Sequence, residues 1–234
     1  TWSEQSLDLT SLAGVEVEFE FEYSTAGPVD GLVALSTPRL VRPSSDPKHV
    51  VLITSDTHRG DHLGVADGGV DIRTPFLDSL AADGVYFEDC FSTSNITIPS
   101  HAAILTGLSP REVGIIDNIT ALSNDASTLA EAFRDAGYYT AAVLSTRHLG
   151  HDNSGLGQGF DRMMTSKEAK QVGQISVEEV KEILSSEGDQ QIFLWLHLFD
   201  AHAPYLPPDE YRHEYYPRDR NPYTQGVGIT DGNR

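Results

Sequence analysis

The chain has 234 residues, 39% of them hydrophobic and 22% charged, which suffices for one large or two small domains with a buried core and excludes intrinsic disorder. Its 35 acidic side chains against 16 basic ones leave a net charge of −19, a surface that repels nucleic acid backbones and anionic membranes. No apolar run approaches membrane-spanning length, and a single cysteine, Cys90, excludes an internal disulfide.

Residues 1–42 differ in texture from the rest. Val15 to Tyr23 alternates apolar and acidic side chains, the pattern of a half-buried strand with one wet face. Ala26 to Gly31 is a turn cluster, and Gly31 to Leu35 can form a second strand. Two or three strands bury no sheet alone, so the segment is read as the tail of a β-sandwich, with a hairpin packed on the main domain as the alternative. Residues 43–48, rich in Pro and Ser, form a linker. From 49 to 234 strands and helices alternate. His49 to Ser55 is an apolar run expected to be a central strand buried on both faces. Thr74-Pro75 opens a helix that ends at Gly84, and Val85 to Phe91 is expected to be a strand. Pro99 takes a first helical position, with Thr97 just ahead of the helix and Gly107 closing it in a left-handed conformation. Ser127 caps the next helix, Tyr138 to Leu144 is a strand, Ser176 caps another helix, and Gln191 to Leu198 is a buried strand. The class is α/β, a largely parallel sheet flanked by helices. Beyond Pro207 the chain reads as irregular.

Ligands in such folds sit beyond the carboxyl ends of the strands. Asp56 follows the first apolar strand, where a carboxylate can take a hard divalent cation. Asp61 and His62 either extend that site or are solvated loop residues. Thr97 is either a helix cap, together with Ser100, or a nucleophile at a helix N-terminus, where unpaired N–H groups favour oxyanions. His202 lies past the end of the last strand, where an imidazole can protonate a leaving group. His197 lies within that strand and is read as a core histidine. Arg147 and His148 follow the Tyr138 strand and either supply positive charge to an anionic group or sit in a surface loop.

Taken in order, these stretches resemble the sulfatase family of the alkaline phosphatase superfamily over about residues 48 to 208. Val50 to Gly64 is similar to the opening strand and metal-binding aspartate. Thr74 to Phe87 is similar to the first helix and second strand, and Pro99-Ser100-His101-Ala102-Ala103-Ile104-Leu105-Thr106-Gly107 to the nucleophile helix. Ala136 to Ala141 and Gln158-Gly159-Phe160-Asp161 match later landmarks. Phe199-Asp200-Ala201-His202-Ala203-Pro204-Tyr205 resembles the motif that sets a histidine on the substrate. The resemblance implies an alkaline-phosphatase-like fold and a metal-dependent hydrolase of sulfate or phosphate esters. Thr97 and His202 would be catalytic, and Asp56 and Thr97 would hold a divalent ion, Ca²⁺ first, with Zn²⁺, Mn²⁺ or Mg²⁺ as alternatives. His101, His148 and Arg147 would contact a small-molecule or glycan ester. The family also implies a periplasmic or extracellular location.

Two departures qualify that expectation. Sulfatases carry Cys or Ser, oxidised to formylglycine, where this chain has Thr97. A threonine would oxidise to a ketone, so that maturation is closed, and an unmodified Thr97 tilts the reaction towards phosphodiester hydrolysis or phosphoryl transfer. His101 replaces the motif arginine, and Thr146 stands where lysine is usual. Nothing after Tyr205 resembles the family's later metal-ligand strand, and Asp231-Gly232-Asn233 reads as a turn. The chain is therefore expected to be the amino-terminal part of a longer enzyme, holding metal weakly and nearly inactive alone. A non-catalytic binding module is the alternative from another class.

Overall fold

The computed structural model describes residues 7–20, 48–67, 71–205, 207–211 and 214–215. The chain divides into two units, Thr1–Leu40 and Val41–Arg234. In the first, the described residues carry one 3-10 turn, Thr10–Leu12, whose Thr10 N–H and hydroxyl both donate to Asp8 Oδ1. Residues 15–20 of the alternating run carry no strand. Residues 21–23, the turn cluster, the Gly31–Leu35 strand, the Pro43–Pro47 stretch and the Asp231 turn lie outside the described residues.

In the second unit the elements run β1 (Val50–Ser55), α1 (Pro75–Asp83), α2 (Thr97–Thr106), α3 (Leu129–Asp135), β2 (Tyr139–Leu144), α4 (His151–Ser154), β3 (Arg162–Thr165), α5 (Gly173–Glu187) and β4 (Ile192–Leu198). The four strands form one parallel sheet in the order β1-β4-β2-β3. Side chains alternate across a sheet, and at β2 and β4 both faces are covered. Ala142 and Leu144 of β2 and Trp195 of β4 pack with Ile98, Ala102 and Leu105 of α2 on one face. Tyr139, Ala141 and Val143 of β2 and Ile192, Leu194 and Leu196 of β4 pack with Ile183 of α5 on the other. None of the helices among the described residues is long and apolar enough to cross a membrane.

Several local expectations change. Among the described residues β1 is an edge strand paired with β4 alone; Val51 and Ile53 on one face are 49% and 56% exposed, while Leu52 and Thr54 on the other are half-buried. An apolar run reads the same on an edge as in the centre, and pairing decides which it is. Val85 to Phe91 forms no strand, and Val85, Phe87 and Phe91 are exposed. The strand that does follow β2 is β3, which the sequence reading did not pick out. Thr128, not Ser127, caps α3. Its hydroxyl accepts from Glu131 N–H while Glu131 Oε2 accepts from Thr128 N–H, a reciprocal box available only to the residue three before Glu131. Ser176 lies inside α5, buried, with its hydroxyl 2.8 Å from that of Ser145 at the end of β2. Gly107 does close α2 at φ +71°. Gly159, at φ +85°, lies so close to the start of α3 that a Cβ would meet Glu131 N at 2.3 Å.

Candidate active site

The sheet register builds the site. Thr54 pairs with His197, which also pairs with Leu144, and Ser55 pairs with Leu198. Asp56 N–H continues the ladder to Leu198 O at 2.9 Å, and Ser145 N–H continues it to His197 O at 3.1 Å. The carboxyl ends of β1, β4 and β2 therefore stand level, and the chain leaves them at Asp56, Phe199 and Thr146. Thr57 then turns at φ +58°, a left-handed conformation that a β-branched residue adopts only under strain and that clusters at functional sites.

Helix α2 begins at Thr97, with Ile96 as its extended N-cap, so Thr97 is the first helical residue and Pro99 the third. Pro99 has no N–H, and Asn118 Oδ1 accepts that of Ile98 at 2.8 Å. Fewer N–H groups are thus left to meet an oxyanion than the sequence suggests. What holds Thr97 is His101, one turn on. Its Nδ1–H donates to Thr97 O at 2.8 Å, since a carbonyl can only accept. That fixes Nε2 as the acceptor, and Thr54 Oγ1–H supplies it at 3.2 Å. Thr54 Oγ1 accepts in turn from Trp195 Nε1–H at 3.1 Å. His101 is 5% exposed, and burial first, then the charge of His197, pushes its pKa down to about 4. It is therefore a neutral imidazole with both nitrogens committed inside the chain, although the sequence reading set it on the substrate.

Asp56 is 9% exposed. Burial would push its carboxyl up, but the hydrogen bond from His197, the charges of His101 and His197 and a hydrogen bond from Thr97 outweigh it. The group is held below the ordinary carboxylate range. His197, read from sequence as a core histidine, is fully buried but not merely packing. Its Nε2 lies 3.4 Å from Asp56 Oδ2, and its Nδ1 is buried without a partner in the chain. Asp56, His101 and His197 each bring one ligand atom within 4.8 Å of the others, a possible metal site. An ionised carboxylate beside an imidazole suits a cation; His101 joins only by giving up a hydrogen bond. The missed signal in sequence was the shared β4 face of Trp195 and His197, which the register turns towards α2.

The Phe199 ring gathers three histidines. Its centroid is 4.1 Å from that of His202, stacked, 5.7 Å from His197 and 5.8 Å from His148. His202 Nδ1–H donates to Ala203 O at 2.7 Å, which leaves Nε2 for acid–base work. Thr146 commits its hydroxyl proton to Ala169 O, so it accepts from His148 Nδ1–H at 2.7 Å, and His148 Nε2 is buried without a partner in the chain. Burial lowers the His148 pKa, with Asp56 opposing and His197 and His202 adding to the drop. Arg147 is exposed and lines a separate cavity of about 350 Å³ with His151, Asn153 and Lys167. Asp61 pairs with Arg59 and with His62 Nδ1 in an exposed loop cluster.

A parallel sheet flanked by helices, as here, is the architecture of the alkaline phosphatase superfamily, which a solved neighbour represents. Residues 48–233 match the profile of the Sulfatase family, and the chain belongs to it. It is 37% identical over 134 residues to an arylsulfatase of Clostridium perfringens, covering 54% of this chain and 28% of that protein. It is 30% identical over 133 residues to an N-acetylglucosamine-6-O-sulfatase of Bacteroides thetaiotaomicron, covering 56% of this chain and 23% of that one. The chain thus spans about a quarter of each of these curated relatives. In fold it matches a solved structure bound to its substrate D-glucosamine-2-N,6-O-disulfate, with a TM-score of 0.61 at 23% identity, over 69% of this chain and 36% of that one.

Proposed function

We propose that this protein hydrolyses sulfate esters with the unmodified hydroxyl of Thr97 as nucleophile. One observation carries the reading: Thr97 stands at the first position of α2, its carbonyl gripped by His101, near the buried Asp56 carboxyl, whose pKa the Thr97 side chain helps to lower. Thr97 Oγ attacks sulfur in line and passes its proton towards Asp56. The bond from sulfur to the leaving oxygen breaks as the imidazolium of His202 donates Nε2–H to that oxygen. His148, whose Nδ1–H is given to Thr146, presents Nε2 as an acceptor for a substrate hydroxyl. Water then attacks the threonine O-sulfate, His202 takes its proton, and the threonine oxygen recovers its own.

Asp56 and His197 are the proposed protein ligands of a divalent ion, with Thr97 alongside. Carboxylate and imidazole donors suit Zn²⁺ or Mn²⁺, and further oxygen donors would suit Ca²⁺. Bound there, such an ion supplies charge neutralisation at the ester and a more acidic Thr97 hydroxyl. Relatives named for sulfated amino sugars make sulfated glycans outside the cytoplasm the first substrate class to assay.

The test uses the complete protein and its Thr97→Ala variant on matched aryl sulfate, phosphate monoester and phosphodiester substrates. Sulfate turnover that falls by about 10³-fold or more in the variant is expected for a lost nucleophile. Undiminished activity overturns the assignment. Phosphodiester turnover exceeding sulfate turnover overturns the substrate class and favours the phosphoryl-transfer reading that Thr97 raises.

A further inference from the structure

Lys170 lies in the segment between β3 and α5. Its ammonium reaches three backbone carbonyl oxygens of one loop: Asp200 O at 3.2 Å, His202 O at 2.6 Å and Pro204 O at 3.1 Å. An ammonium has three protons and no acceptor, so all three are spent on the loop that carries His202. The neighbours of Lys170 clamp the other side. Ala169 O accepts from the Thr146 hydroxyl, the same hydroxyl that orients His148. Gln171 N–H donates to Ser145 O at 2.8 Å. Gly173 N–H, at the start of α5, donates to Asp200 Oδ1 at 3.1 Å, and a Cβ on Gly173 would sit 2.6 Å from Asp200 Oδ2. The segment 169–173 is thus a strap between the two strand ends from which His148 and His202 depart.

We propose that Lys170 is a positioning residue that fixes the His202 imidazole by gathering the carbonyl oxygens of Asp200, His202 and Pro204. Without it the loop keeps the Phe199 stack and the Asp200–Gly173 bond but loses its charged clasp. Charge-assisted hydrogen bonds are the stronger kind, and small misplacements of a catalytic group are costly in rate. The inference rests on the proposed leaving-group role of His202, and the experiment separates the two.

In the complete protein, Lys170→Met, Lys170→Arg and His202→Gln are compared on an alkyl sulfate and a nitrophenyl sulfate. The alkyl ester needs protonation of its leaving oxygen and the nitrophenyl ester does not. Lys170→Met is expected to lower kcat on the alkyl ester about 100-fold and on the nitrophenyl ester less than about 3-fold. Lys170→Arg is expected to recover most of the loss, and adding Lys170→Met to His202→Gln to cost nothing more. Equal losses on both esters, or none, overturn the positioning role. If His202→Gln itself shows no leaving-group dependence, the assignment of His202 fails instead, and hydrogen exchange decides for Lys170. Lost protection at amides 199–205, with β2 and β4 unchanged, supports the clasp. Unchanged protection at 199–205 overturns it.

Discussion

Replacing Thr54 by Val removes a hydroxyl while keeping its shape, and the structure says what that hydroxyl holds. Thr54 Oγ1 accepts from Trp195 Nε1–H at 3.1 Å and donates to His101 Nε2 at 3.2 Å. Trp195 is fully buried and His101 is 5% exposed, so water replaces neither partner easily. A buried polar group left unmet costs about 1–3 kcal/mol, and two such groups, with some relaxation at the half-exposed Thr54, cost about 3 kcal/mol. With a urea slope of about 2 kcal/mol per molar, the unfolding midpoint falls by about 1.5 M. Trp195 itself reports the transition by fluorescence in a Trp2→Phe background. Thr54→Ser keeps both bonds and is expected to stay within about 0.3 M of the parent. A Thr54→Val midpoint equally close to the parent would refute the claim that this chain of hydrogen bonds anchors His101, and with it Thr97.

The same histidine sets an acid limit. Its pKa is about 4 in the folded chain against 6.5 unfolded, so between those pH values the unfolded state binds more protons and stability falls as pH is lowered. The full loss is about 3 kcal/mol below pH 4, and His101→Gln is expected to flatten the slope between pH 6.5 and 4 even as it lowers the plateau. Asp56, held below its ordinary range, adds a loss in the same direction at lower pH still. An unchanged slope in the variant would contradict the buried neutral imidazole. Zn²⁺ or Mn²⁺ at about 100 times its dissociation constant is expected to stabilise the complete protein by about 2.7 kcal/mol in thermal unfolding. Asp56→Asn or His197→Ala should abolish that gain, whereas Arg147→Ala should leave it intact.

What was legible in the sequence follows from the range over which each signal acts. The α/β class, the strand ends at Asp56 and His202, and the left-handed Gly107 are local, and the structure agrees with them. The edge position that β1 has among the described residues was not legible, because Val-Val-Leu-Ile looks alike wherever its neighbours stand. The neighbours of His197 were hidden for the same kind of reason. A histidine inside an apolar strand is ordinarily a packed one, and only the register against Thr54 and the approach of α2 put it beside Asp56 and His101. His101 was assigned by its place in a motif, whereas two hydrogen bonds turn it towards the fold. Lys170 had no sequence signal at all, since its three partners are backbone oxygens some thirty residues further along the chain.

The central claim is that Thr97 carries the reacting group, and a trapped intermediate tests it directly. The complete His202→Gln variant is mixed with nitrophenyl sulfate, quenched in acid during the first turnover, digested and read by mass spectrometry. The good leaving group lets the first step proceed, while the missing imidazole slows attack by water. One added sulfo group on Thr97 of the α2 peptide is expected. A sulfo group on another residue, or turnover with an unmodified Thr97 throughout, would contradict it.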